Sequence, residues 1–177
     1  MQIQWRDEMA IDHGLIDNDH KYLISIMNEF CETDPTDGSP DRLVNILSKL
    51  NAYTTIHFRR EEALQRSVHY SYIDAHHHEH GDLLRALYSI HRGLFSLDAS
   101  PVEDEAEDPA APSGGPDPAT PAGRVVRAHR KVAEFLHHWL IDHIIKSDLR
   151  MKPYARDMLP MARGMKPLKQ MSAWVDD

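Results

Sequence analysis

The sequence predicts an all-α protein, an up-down-up-down antiparallel four-helix bundle with a long connection before the last helix and a C-terminal tail. Three observations predict it. Four segments repeat apolar or histidine residues at alternating spacings of three and four, the period of one helix face. No segment alternates with the two-residue period of a strand over a useful length. The 177 residues, 41% hydrophobic and 27% charged, suit one soluble domain with a single core.

The first helix carries His20, Leu23, Ile24, Met27 and Cys31 on its stripe. The second opens at Ser39-Pro40-Asp41, with Ser39 as N-cap and proline at the first helical position. Its stripe is Leu43, Leu47, Leu50, Thr54, His57, Glu61 and Leu64. The third carries His76, His80, Leu83, Leu84, Leu87, His91 and Leu94. The fourth starts at Thr120-Pro121 and carries His129, Val132, Leu136, Leu140, His143 and Ser147. The links 33–38 and 67–71 are short, so the first three helices are antiparallel neighbours.

Residues 98–123 break the composition: six prolines, three glycines, seven acids and no Lys, Arg or aromatic residue. Such a stretch cannot bury enough apolar surface to offset its ordering entropy, and it is expected to be a disordered acidic insertion. It holds seven of the eight net negative charges, so the rest of the chain is close to neutral. Residues 1–151 are therefore expected to form one bundle around this insertion. From residue 152 a Met-rich extension, 152–177, is cut by Pro153, Pro160 and Pro167. Insertion and extension are the expected sites for a protein partner.

Composition also excludes functions. One cysteine, Cys31, rules out an intramolecular disulfide and a cysteine-only metal site. The net charge of −8 argues against general nucleic-acid binding. No apolar run is long enough to span a membrane. The N-terminal MQIQWRDEMA has no basic region followed by an apolar one, so no signal peptide and a cytoplasmic location are expected. The thirteen histidines ask for a test of metal spacing.

The inward stripes supply that test. His57 and Glu61 lie four apart, as do His76 and His80, so each pair faces one way. In an antiparallel bundle His20 is early in its helix and His57 and Glu61 are late. His76 and His80 are early, and His143 and Asp148 are late. All seven fall at one end. A single histidine on an apolar face is usually a satisfied core residue, but burying seven unpaired polar groups together would cost several kcal/mol each. Five imidazoles with two carboxylates suit two iron ions, with zinc or manganese as alternatives. Two octahedral ions sharing two carboxylates and a solvent bridge leave six terminal positions. Five histidines leave one open, where a small molecule can bind. His77 and His78 offer another register, which helix geometry disfavours. His13, His69, His137 and His138 have no helical partner and are expected in solvent. Cys31, His91 and His129 lie on the stripes roughly 16–21 Å from the other seven, at 1.5 Å per residue. They are either a second site or three separate residues.

The ordered motifs Ile16-Asp17-Asn18-Asp19-His20-Lys21, His57-Phe58-Arg59-Arg60-Glu61-Glu62, His76-His77-His78-Glu79-His80 and Trp139 through Asp148 resemble the hemerythrins, over residues 5 to about 150. The resemblance implies a non-haem, oxo- or hydroxo-bridged pair of iron ions. His76, His80 and His143 would hold one and His20 and His57 the other, with Glu61 and Asp148 bridging. It implies reversible dioxygen binding at the open iron, beside Leu140, for a carrier, store or sensor, and the lack of a further inward acid or base on the stripes leans against an enzyme. Reduction of peroxide or nitric oxide, and a redox- or oxygen-sensing interaction module, are the alternatives. Trp5 and Trp139 resemble packing aromatics of that family. The long acidic connection and the Met-rich extension depart from its pattern.

Overall fold

The computed structural model describes residues 2–35, 40–95 and 120–155. Four long helices, α1 (Leu15–Glu32), α2 (Pro40–Ser67), α3 (Ile73–Phe95) and α4 (Pro121–Asp142), make up the bundle. α1 packs on α2 and α4, and α3 packs on α2 and α4, which closes the up-down-up-down ring. There are no strands among the described residues.

Helix ends follow from local chemistry. Asp12 caps α1: its carboxylate accepts the backbone N–H groups of Gly14, Ile16 and Asp17 at 2.8–3.2 Å. Asp17 reaches back and accepts from Ile11 and His13 at 2.7 and 2.9 Å. His69, just past α2, adopts the left-handed conformation (φ 51°), and the Tyr70 N–H returns to the Gln65 carbonyl at 2.9 Å. The chain therefore leaves α2 sharply and enters α3 nearby. Thr120 caps α4, its hydroxyl accepting the Gly123 N–H at 3.1 Å. Pro121–Gly123, expected to belong to the acidic insertion, instead form the first turn of α4 because that cap holds them. The remainder of the insertion to residue 119, most of the Met-rich extension (156–177) and Ser39 lie outside the described residues.

After Asp142 the chain stays helical but changes pitch. His143–Ser147 is a π turn, Asp148–Met151 a 3-10 turn, and Lys152–Ala155 a short helix, α5. Ala155 is buried, so the expected extension begins inside the packed structure.

Two apolar clusters result. The larger holds Leu23, Met27 and Phe30 of α1, Leu43, Leu47 and Leu50 of α2, Leu87 of α3, and Val132, Leu136 and Trp139 of α4. The smaller, of Ile11, Ile16, Tyr70, Met151 and Ala155, covers the end where α1 begins and α2 finishes. Along each helix the two clusters bracket the seven polar residues, with Phe58 and Ile144 of the larger cluster interleaved among them.

Leu136→Ala, at a fully buried site in α4, is expected to cost about 2–5 kcal/mol. In a domain of this size that lowers Tm by roughly 5–15 °C. Thermal unfolding followed by circular dichroism measures it, and an unchanged Tm would contradict the packing of α4.

Candidate metal centre

All seven stripe residues meet between the two clusters, each less than a tenth exposed: His20, His57, Glu61, His76, His80, His143 and Asp148. Their ligand atoms form two groups. One is Glu61, His76, His80, His143 and Asp148; the other is His20, His57 and Asp148, with atoms in each within 4.8 Å of one another. Asp148 belongs to both. Its Oδ1 lies 3.2 Å from His76 Nε2 and 3.1 Å from His143 Nε2, whereas its Oδ2 lies 3.2 Å from His20 Nε2. One carboxylate is thus divided between two halves. Glu61 Oε2 lies 3.2 Å from His80 Nε2, 3.5 Å from His76 Nε2 and 3.8 Å from His57 Nε2.

The π turn accounts for Asp148. In an α-helix a residue five positions on lies well round the cylinder from its partner. One extra residue in the turn brings position 148 back to the face of His143, and the Asp148 N–H bonds to the His143 and Ile144 carbonyls. His20 is fixed from the other side, one turn beyond the Asp12–Asp17 cap. Phe58 lies flat on the His80 ring, with centroids 3.6 Å apart.

These inner atoms make no hydrogen bonds. Both oxygens of Glu61 and of Asp148, and Nε2 of His20, His76, His80 and His143, are buried and unsatisfied. Native proteins seldom leave buried polar atoms so. Nitrogen and oxygen donors at 2.0–2.2 Å from one octahedral cation stand about 3 Å apart. The separations of 3.1–3.5 Å fit donors aimed at a shared cation, and the His57–Glu61 separation is wider, at 3.8 Å. The set of imidazole and carboxylate suits iron, zinc or manganese rather than magnesium or calcium.

Without a cation, protons balance the charge. Burial pushes the Asp148 carboxyl up, but His143, His20 and His76 outweigh it and hold it well below the usual range. Burial and Asp148 raise Glu61, while His76 and His80 bring it below its ordinary value. Burial lowers His76, yet Asp148 and Glu61 raise it to about 10. Burial dominates at His143 and lowers it.

A second layer backs the imidazoles. His80 Nδ1 lies 3.0 Å from Glu62 Oε1, which also meets His77 at 2.8 Å. His143 Nδ1 lies 3.8 Å from Glu79. His57 Nδ1 faces the buried Asp19 at 3.7 Å. Sequence reasoning missed Asp19, Tyr53, Arg60, Glu62 and Glu79, because they lie off the stripes. Gln65 and Thr54 share the buried stripe of α2 with unsatisfied side chains.

The remaining expectations divide. His77 and His78 are exposed, as are His13, His69 and His138; His137 is half-buried. Cys31, His91 and His129 form no metal-holding group among the described residues. His91 meets Ser48 Oγ at 2.9 Å, and His129 Nε2 donates to the Phe30 carbonyl near the end of α1 at 2.9 Å. Burial pushes the Cys31 thiol up, away from the thiolate a metal needs. Trp139 is buried and Trp5 packs beside His20 at 6.4 Å. The Leu140 side chain lies outside the described part. No helix among the described residues is long and apolar enough to cross a membrane.

A family model described as the hemerythrin HHE cation binding domain matches residues 12–155. The bacteriohemerythrin of Clostridium acetobutylicum (strain ATCC 824) is 28% identical over 89 residues, covering 49% of this chain and 69% of that relative.

Opposite pH dependences are expected with and without metal. His76, raised to about 10, stabilises the metal-free fold fully below its unfolded value near 6.5, and that contribution is lost as pH rises toward 10. Asp148 and Glu61, lowered, contribute above the ordinary carboxylate range and lose it as pH falls below. Metal affinity instead rises with pH, because ligands must shed protons. Urea unfolding of chelator-treated protein between pH 6.5 and 10 should show falling stability, flattened in His76→Gln. A flat profile in the unsubstituted protein would contradict the coupling.

Proposed function

The chain belongs to the hemerythrin family, and from that premise we propose that it holds two iron ions at this centre and binds dioxygen reversibly. The observation that carries the reading is the division of Asp148, whose two oxygens face different histidine sets. Such a carboxylate would hold a cation on each side. His76, His80 and His143 would hold one ion, His20 and His57 the other, and Glu61 would be the second bridge. Three imidazoles against two leave the second ion short of a ligand, and a small molecule can fill that place. The iron pair supplies the electrons with which dioxygen is held.

The chain supplies containment. Leu23, Phe58, Leu136, Trp139 and Ile144 are buried in the large cluster on the bundle side of the centre. Ile16, Tyr70 and Met151 close the other side. Water is kept from the metals by both. Leu140, one turn before His143 in sequence, is the residue this reading would place beside the bound oxygen.

We read the site as a carrier, store or sensor rather than an enzyme. Apart from the seven, the buried polar side chains on the described α2 stripe are Thr54 and Gln65, neither an acid nor a base, and the buried acid behind His57, Asp19, is tied to Tyr53 and Arg60. An enzyme reducing peroxide or nitric oxide would need a group to deliver protons.

Purified protein reduced without air and then exposed to oxygen should develop a visible charge-transfer band that disappears on removing oxygen. Irreversible bleaching, or no band in protein shown to contain iron, would overturn reversible binding. Metal at a thousandfold excess over Kd should stabilise the fold by about 4 kcal/mol. His57→Ala should cost the two-histidine half its metal and abolish the band, measured by metal analysis and absorbance.

A further inference from the structure

Asp19 is a buried carboxylate adjacent to His20 in sequence, yet it turns to α2. Its Oδ1 accepts the Tyr53 hydroxyl and the Arg60 guanidinium, both at 2.7 Å. Its Oδ2 has no hydrogen bond and faces His57 Nδ1, likewise unsatisfied, at 3.7 Å. His57 points its other nitrogen toward Glu61. A neutral imidazole that binds metal through Nε2 carries its proton on Nδ1. In a metal-bound His57 that N–H would face the free Asp19 oxygen, 3.7 Å away.

The two halves of the centre differ here. Behind His80 the carboxylate is Glu62, shared with His77 and within 3.9 Å of Arg66. Behind His143 the carboxylate, Glu79, is about half exposed. On the two-histidine half, His20 Nδ1 has no partner among the described residues, so of these Asp19 alone backs that ion's imidazoles. Among the described residues its charge is opposed by Arg60, which is about a quarter exposed.

We propose that Asp19, Arg60 and Tyr53 are positioning residues that orient His57 and set the negative charge behind it, and so tune the metal on the two-histidine half. The tuning of iron rests on the reading above; the orientation of His57 does not. A carboxylate behind an imidazole makes it a stronger donor and favours the oxidised metal. Arg60 and Tyr53 draw that charge away from His57. Removing Asp19's charge and removing Arg60's charge must therefore act in opposite directions. A loosened structure would weaken metal binding in both.

The full-length chain is tested as Asp19→Asn, Arg60→Met, Arg60→Lys and Tyr53→Phe, each checked for helix content. With zinc as probe, Asp19→Asn should weaken binding about tenfold or more, and Arg60→Met should leave it equal or tighter. In the iron form the midpoint potential, followed optically, should rise in Asp19→Asn and fall in Arg60→Met. Tyr53→Phe should fall by less, and Arg60→Lys should stay near the unsubstituted value. Shifts of the same sign for Asp19→Asn and Arg60→Met, or no shift in either, would overturn the proposal. Should the unsubstituted protein take no iron, the functional reading fails while the zinc measurement still decides the role of Asp19. Should Arg60→Met fail to fold, the Tyr53→Phe and Arg60→Lys pair carries the sign.

Discussion

Two carboxylates with no hydrogen bond to any oxygen, Glu61 and Asp148, share one buried layer with five imidazoles. Everything else in the molecule answers to that constraint. Removing one partner from such a set strands a buried charge, at a cost of several kcal/mol. The fold holds all seven in place from separate directions. Asp12 and Asp17 lock the start of α1, the left-handed His69 closes α2, and the π turn swings Asp148 inward. Apolar clusters above and below keep water out, which strengthens each electrostatic interaction within.

The same layer stores two charge states. With protons, His76 and His20 are raised by the carboxylates they face, Asp148 foremost at both, and the layer is a network of ion pairs. With cations, those protons must leave. The second layer bears on this exchange unevenly. Glu79 is about half exposed and Glu62 slightly so, whereas Asp19 is enclosed: burial pushes its carboxyl up, and His57, Tyr53 and Arg60 outweigh that and hold it below its ordinary value.

Much of this was legible in the sequence because it is periodic. Spacings of three and four give helix faces, and antiparallel order then puts His20, His57, Glu61, His76, His80 and His143 at one end. Asp148 was found by its position near the chain's return to that end, but its spacing of five from His143 fits no α-helical face. The π turn that resolves it has no signal in hydrophobic periodicity. Cys31, His91 and His129 show the converse. They lie on the right stripes, yet a stripe gives direction only, and Ser48 and the Phe30 carbonyl claim the two rings. Asp19, Tyr53 and Arg60 were invisible for another reason. Their contacts join α1 to α2 across 34 and 41 positions, and only the packed structure brings them together.

The central claim is that this layer is a two-metal site divided by Asp148. Crystallography of the iron-loaded protein with anomalous scattering at the iron edge tests it most directly. Two peaks are expected between Glu61 and Asp148, one among His76, His80 and His143 and the other beside His20 and His57. A single peak, or peaks away from Asp148, would contradict it.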